Sequence, residues 1–167
     1  MKIKIMSQDN AIKYSKETKN KILIISITSN PNEQVNFKGN NIHNIFRMYF
    51  NDIEHDIGSY KAPSKNDFAG LKDFLDKKLS DSIDEIIVHC HAGISRSSAC
   101  ASAISRYLKI DDTHIWKSDK YIPNKLVHLL ALYELGVCIS DKELIDLYDM
   151  NYKAQEFNLD LEDDFFV

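Results

Sequence analysis

Nothing in core packing or turn formation asks for a cysteine between two histidines. Yet in VHCHAGISRSSA, residues 88–99, Cys90 lies between His89 and His91, is followed by Ala92-Gly93, and has Arg96 six positions on. The flanks place this segment. IDEIIVHC (83–90) has the length and branched content of a short buried strand, and SSACASAISRYL (97–108) is a helix whose small residues allow close packing on a sheet. The chemistry therefore sits in a strand-to-helix turn, which aims backbone N–H groups and the positive end of a helix dipole at one point. Anions bind at such points. Gly93 tolerates φ values that side chains resist, so His91, Ala92, Gly93, Ile94 and Ser95 are expected to curl into a nest of inward-facing amides. Arg96 closes the ring with a planar fork matched to phosphate oxygens. Cys90, at the base of this cradle, is placed to attack a bound phosphorus in line. Such a setting lowers a thiol pKa from about 8.5 to roughly 3.5–7.5, which makes the thiolate the expected form at neutral pH.

The pattern His89-Cys90-x5-Arg96-Ser97 resembles the signature of the cysteine-dependent protein tyrosine phosphatase superfamily, and the form HCxxGxSRS is nearer its dual-specificity branch. The resemblance implies a phosphocysteine intermediate on Cys90, with Arg96 and the loop amides clamping the phosphoryl group. It implies that the Ser97 hydroxyl helps the thiolate leave in the second step, and that His89 is a hydrogen-bond donor near the cysteine backbone, not a general base. It implies neither metal nor cofactor. The family also takes its proton donor from an aspartate on a loop before the cysteine. Asp52, at the end of the run IFRMYF (45–50), is the candidate acid and base, with Asp56 as the alternative. The implied substrates are proteins or peptides carrying phosphotyrosine, with phosphoserine and phosphothreonine as further candidates.

Some features depart from the branch. Its members commonly continue into Ala-Tyr-Leu-Met along the helix, whereas Ala103 is followed here by Ile104-Ser105-Arg106. The phosphotyrosine-recognition loop of the larger tyrosine-specific enzymes has no counterpart. The lysines that the lipid-phosphatase branch carries inside the loop are replaced by His91 and Ile94, which disfavours a phosphoinositide. Two alternatives keep the same cradle: a module that binds a phosphorylated partner without turnover, and a hydrolase for another ester such as an RNA 5′-phosphate. The first is opposed by the intact set of Cys90, Arg96 and Asp52, the second by charge.

That charge is −4 overall in a chain of 167 residues with 28% charged and 44% hydrophobic content. It offers no global basic field for nucleic acid or a membrane surface, so an anion site has to be built locally. The length suits one compact domain over residues 1–167. Three cysteines without CxxC spacing argue against a disulfide framework or zinc ribbon, and Cys100 reads as core packing. The reducing compartment this implies, with no signal-like or membrane-spanning run, points to the cytoplasm.

The positioning elements follow from periodicity. KIKIM and ILIISIT (22–28) read as strands, the second ending at Asn30-Pro31, and IFRMYF reads as a third running into the acidic loop NDIEHD. A helix is expected from Asp67 through Phe68, Leu71, Phe74, Leu75 and Leu79, capped by Ser64, Asn66 or Asp67. Pro123-Asn124 opens KLVHLLALYEL, whose stripe of Leu126, Val127, Leu129, Leu130 and Tyr133 reads as core and which Gly136 stops. Ser140 with Glu143 forms a capping box before LIDLYDM, and the acidic tail DLEDDFFV is left to dock or fray. His114, Trp116 and Tyr121 fall in a segment without periodicity. Strands interleaved with helices predict an α/β fold: a central, mostly parallel sheet flanked by helices, with the Cys90 loop between a buried strand and a helix.

Overall fold

A computed structural model describes the backbone of residues 1–163 and side chains through Glu156. The strands are β1 (Lys2–Ser7), β2 (Ile22–Thr28), β3 (Ile42–Tyr49) and β4 (Glu85–Cys90). The helices are α1 (Gln8–Glu17), α2 (Lys65–Phe68), α3 (Leu71–Leu79), α4 (Arg96–Tyr107), α5 (Thr113–Trp116), α6 (Lys125–Leu135) and α7 (Asp141–Asp163). The strands form one sheet in the order β1-β4-β2-β3, and every pairing is parallel. The α/β architecture with a parallel sheet flanked by helices is therefore the one the sequence predicts.

Every residue of β2 and β4 is buried, which is why ILIISIT and EIIVHC read as continuous apolar runs without alternation. One face of the sheet, through Leu23, Ile25, Ile27, Ile86, Val88 and Cys90, packs on Phe68, Leu71, Leu75, the small residues of α4, and Val127 and Leu135 of α6. The other face, through Ile22, Ile24 and Ile87, is covered by Ala11 of α1 with Met6, Tyr14 and Phe37. Burying each such aliphatic side chain contributes about 1.5–3 kcal/mol, so both layers hold the sheet flat against its helices. The chain is buried without a break from Arg96 to Ser105. Only serines, alanines, a cysteine and one isoleucine let α4 come that close after the arginine.

Four expectations need correction. Helix α1 has no counterpart in the sequence reading, because QDNAIKYSKE buries only Ala11 and Ser15 and so carries almost no apolar period. Its N-cap is Ser7, whose Oγ accepts the Asn10 amide at 3.3 Å. Strand β3 begins at Ile42, not at Ile45. The helix expected from Asp67 is two: Ser64 and Asp67 form a reciprocal capping box on α2, and Gly70 at φ +84° breaks the path before α3. Last, the stripe assigned to the α6 core is too wide, since Leu129 is 41% and Tyr133 64% exposed. The buried face is Val127, His128, Ala131, Leu132 and Leu135, a narrower arc at the same helical period.

Trp116 of the unassigned segment is a core residue, 1% exposed, with its Nε1 donating to Asp112 Oδ2 at 3.0 Å and Ser102 Oγ at 3.1 Å. Ser140 caps α7 as expected, its Oγ accepting the Glu143 amide at 3.2 Å. The docking or fraying of the tail DLEDDFFV concerns side chains and a chain end outside the described residues. Among the described residues no helix is long and apolar enough to cross a membrane.

Candidate active site

Parallel strands bring their carboxyl ends to one edge, and the exits of β2, β3 and β4 meet there. β4 delivers Cys90 to that edge, with Ser7 of β1 as its register partner, and α4 begins at Arg96. The five residues between must reverse direction tightly. Gly93 does so at φ +76°. It is also where the loop lies against the β1–α1 junction: a Cβ there would stand 2.5 Å from both Met6 C and Ser7 N. The Gln8 amide donates to His91 O at 3.1 Å and the Ile122 amide to Ile94 O at 3.3 Å, so both sides of the loop are tied to neighbouring segments. From within α4, Ser98 Oγ donates to Ser95 O at 2.9 Å and closely to Ile94 O.

Cys90 lies at the floor of this loop, 2% exposed. Its Sγ accepts the Gly93 amide at 3.3 Å and lies 3.2 Å from Ser97 Oγ. A sulfur that accepts a backbone N–H at a helix N-terminus meets positive partial charge from two sources. His91, Ala92 and Ile94 are exposed along the loop, and Ser95 is half-buried.

His89 points to the other face of the sheet. Its Nδ1 lies 3.4 Å from Cys90 O, its Nε2 2.9 Å from Ser26 Oγ, and its ring meets Phe37 edge-on at 5.2 Å. Because a carbonyl can only accept, Nδ1 carries the proton and Nε2 accepts from Ser26. Burial pushes its pKa down to about 4, so the ring is neutral and serves as a strut under the cysteine backbone.

Arg96 is 6% exposed. Its Nη1 donates to Phe50 O at 3.0 Å and to Ser29 Oγ at 3.3 Å, joining the ends of β3 and β2 to α4. Among the described residues its Nε is buried without a hydrogen-bond partner, and the nearest carboxylate oxygen, Asp52 Oδ2, is 3.8 Å away. A buried donor left unpaired costs about 1–3 kcal/mol, more on a charged group. An anion seated in the loop is the natural partner for it.

The two candidate acids occupy different settings. Asp52 follows β3 directly and faces the loop: Ser95 Oγ donates to its Oδ1 at 2.8 Å, and Asn124 Nδ2 donates to the same oxygen at 3.0 Å. Asp56 is exposed and pairs with Lys61 at 2.7 Å and the Ala62 amide at 2.9 Å. The Lys61 hydrogen bond, followed by the Ala62 amide, holds its carboxyl below the ordinary range.

Three cavities border the loop. One, of about 400 Å³, is lined by Gln8, Ser29, Glu33, His91 and Arg96. A second, of about 420 Å³, is lined by Met6, Ser7, Asn10, Ala92 and Gly93. The third, of about 590 Å³, is lined by Asp52, Ser95 and Asn124 together with the exposed Ile57, Ile122 and Tyr152. Cys100 is sealed in the core, where burial pushes its thiol up to about 12, and Cys138 is exposed.

Three contributors to the site were not legible in the sequence: Ser29, the Phe50 carbonyl and Asn124. Ser29 and Phe50 act through positions at the ends of strands that only the sheet order reveals. Asn124 carries a visible signal, its place before KLVHLLALYEL, but that signal speaks only of capping.

No protein-family model and no curated protein matches the sequence. Among solved structures the chain is similar to the crystal structure of Tk-PTP in the active form, with a TM-score of 0.41 and 10% identity over 90% of each chain.

Proposed function

We propose that the chain is a metal-independent phosphomonoester hydrolase that works through a phosphocysteine intermediate and acts on phosphotyrosine in proteins, with phosphoserine and phosphothreonine as further substrates. The observation that carries this reading is the pairing at the loop: a Cys90 sulfur beneath the Gly93 amide, and a buried Arg96 whose Nε has no partner. In the proposed reaction the phosphate ester sits in the loop with its oxygens on the amides and the guanidinium. The thiolate of Cys90 attacks phosphorus, an S–P bond forms, the ester P–O bond breaks, and Asp52 gives the leaving oxygen its proton. Asp52 then takes a proton from water as that water attacks phosphorus. The S–P bond breaks, and the Ser97 hydroxyl at 3.2 Å donates to the departing sulfur. Arg96 and the fixed amides serve both steps by meeting the charge on the equatorial oxygens, the part of phosphoryl transfer that a protein can most readily stabilise.

The test is hydrolysis of 4-nitrophenyl phosphate in the presence of EDTA by the wild-type chain. Cys90→Ser and Arg96→Ala are expected to abolish turnover, and Asp52→Ala to retain a phosphotyrosine peptide without releasing it. Full activity in Cys90→Ser would refute the mechanism, and binding without turnover by the wild type would leave only a recognition module.

A further inference from the structure

Asp52 has two oxygens, and the surroundings treat them differently. Oδ1 accepts from both Ser95 Oγ, at 2.8 Å, and Asn124 Nδ2, at 3.0 Å. Among the described residues Oδ2 receives no hydrogen bond, and it faces Arg96 Nε at 3.8 Å. The orientation of the Asn124 amide is fixed independently, because its Oδ1 accepts the Val127 amide at 3.0 Å as the N-cap of α6. A backbone N–H can only donate, so the oxygen of Asn124 must face the helix and its NH₂ must face Asp52.

We infer that Asn124, together with Ser95, decides which oxygen of Asp52 carries the transferable proton. A carboxylic acid has one oxygen with a proton and one without. Two donors already directed at Oδ1 leave no room for a hydrogen there, so the neutral acid carries its proton on Oδ2, the oxygen turned toward Arg96 Nε. As the ester P–O bond breaks, that proton passes from Oδ2 to the leaving oxygen. The resulting carboxylate keeps both donors on Oδ1 and offers Oδ2 to the attacking water. Asn124 is in this sense a positioning residue: it acts through Asp52 and also fixes the start of α6. The other charged side chains lining the same cavity are Glu54, His55 and Lys125. None of them donates to either Asp52 oxygen. The Lys125 backbone amide is held by Glu54 at 2.9 Å, and its ammonium lies over the Tyr148 ring.

This inference rests on the hydrolase reading, and the test separates the two. Asn124→Asp and Asn124→Ser both keep a good N-cap oxygen for Val127 while removing the amide donor. The aspartate also offers an acceptor to Oδ1, which draws the proton of Asp52 to the wrong oxygen. The readout is kcat/KM on two esters, phenyl phosphate and 4-nitrophenyl phosphate, which reports the transfer to sulfur. Nitrophenolate leaves with little help from an acid and phenolate does not. General acid catalysis contributes roughly 10²–10⁴-fold, so losing a well-placed proton should reduce phenyl phosphate turnover at least about tenfold more than nitrophenyl phosphate turnover. The larger selective loss is expected in Asn124→Asp. Equal losses on both esters, or an unchanged ratio, would mean that Asn124 is a helix cap and nothing more, and would overturn the inference while the hydrolase stands. A wild-type chain that hydrolyses neither ester would sink the hydrolase reading and this one with it.

Discussion

Replacing Gly93 by alanine tests the construction of the loop directly, because the chain contains its own control. Gly93 and Gly136 both sit at positive φ, +76° and +67°. At Gly136 an added Cβ would meet nothing within 4 Å, so alanine there bears only the backbone cost. That cost is about 1–2 kcal/mol for a side-chained residue in the left-handed region. At Gly93 the same Cβ would lie 2.5 Å from Met6 C, 2.5 Å from Ser7 N and 2.8 Å from Met6 O. These are backbone atoms of a strand in the sheet, so they cannot swing aside as a flexible side chain would. Overpacking of this kind adds about 1–3 kcal/mol, which brings Gly93→Ala to roughly 2–5 kcal/mol. For chains of this length each kcal/mol moves the melting temperature by about 2–4 °C. Gly136→Ala should therefore lower it by a few degrees, and Gly93→Ala by about twice as much or more. The assay is thermal unfolding of both variants beside turnover of 4-nitrophenyl phosphate. Relief of the clash must push the loop off the β1–α1 junction, which moves the Gly93 amide away from Cys90 Sγ, so the Gly93 variant should lose activity as well and the Gly136 variant should not. Equal melting shifts, or a Gly93 variant with wild-type turnover, would refute the claim that the loop is shaped by this contact.

Two further outcomes are expected. His89 and His128 are both held neutral by burial at a pKa of about 4, against an ordinary 6.5, so the unfolded chain takes up protons between those values that the folded chain refuses. Stability should fall as pH drops from 6.5 to 4, by up to about 3 kcal/mol for each ring. Urea midpoints at neutral and acid pH should show this fall, with a smaller one in His128→Gln; an unchanged fall would contradict it. Ser97→Ala removes the hydroxyl 3.2 Å from Cys90 Sγ, and rapid-mixing kinetics should then show a burst of phenol followed by a steady rate slower by about tenfold or more, as the phosphocysteine accumulates. Loss of the burst and of the steady rate together would assign Ser97 to the first step instead.

What the sequence revealed and what it hid divide along a physical line. The strand-to-helix turn after Cys90 was legible because its requirements are local: the end of a buried strand, a glycine that takes positive φ and a helix start, all of which lie between Cys90 and Ser97. The strands β2 and β4 were legible because burial on both faces leaves continuous apolar runs. Helix α1 was hidden because it rests on the sheet through little more than Ala11, Ser15 and the half-buried Tyr14, too few to set a period. The break at Gly70 was hidden because Phe68 and Leu71 keep helical spacing across it. Trp116 escaped because α5 is a single turn, and its burial depends on Asp112 at that turn's own N-cap and on Ser102 and His128 from two other helices.

The remaining gap, between a loop and the candidate site around it, is closed by the order of the strands. β1 and β2 are consecutive in the chain but lie on opposite sides of β4, so the connection through α1 crosses one face and the return through α2 and α3 crosses the other. In open parallel sheets such a reversal leaves a crevice at the carboxyl ends of the strands, and ligands bind there. Here the crevice is bridged by one side chain. Arg96 begins the helix that follows β4, donates to the carbonyl of Phe50 just after β3, and reaches Ser29 just after β2. Both anchors lie on Nη1 of one planar group, so the strand ends that hold Nη1 also set the direction of the buried, unmet Nε. The same exit from β3 carries Asp52 to within 3.8 Å of that donor. Moving Asp52 onto another strand end would separate it from Arg96, which is why the distance in sequence between Asp52 and Cys90 says so little and the parallel register so much.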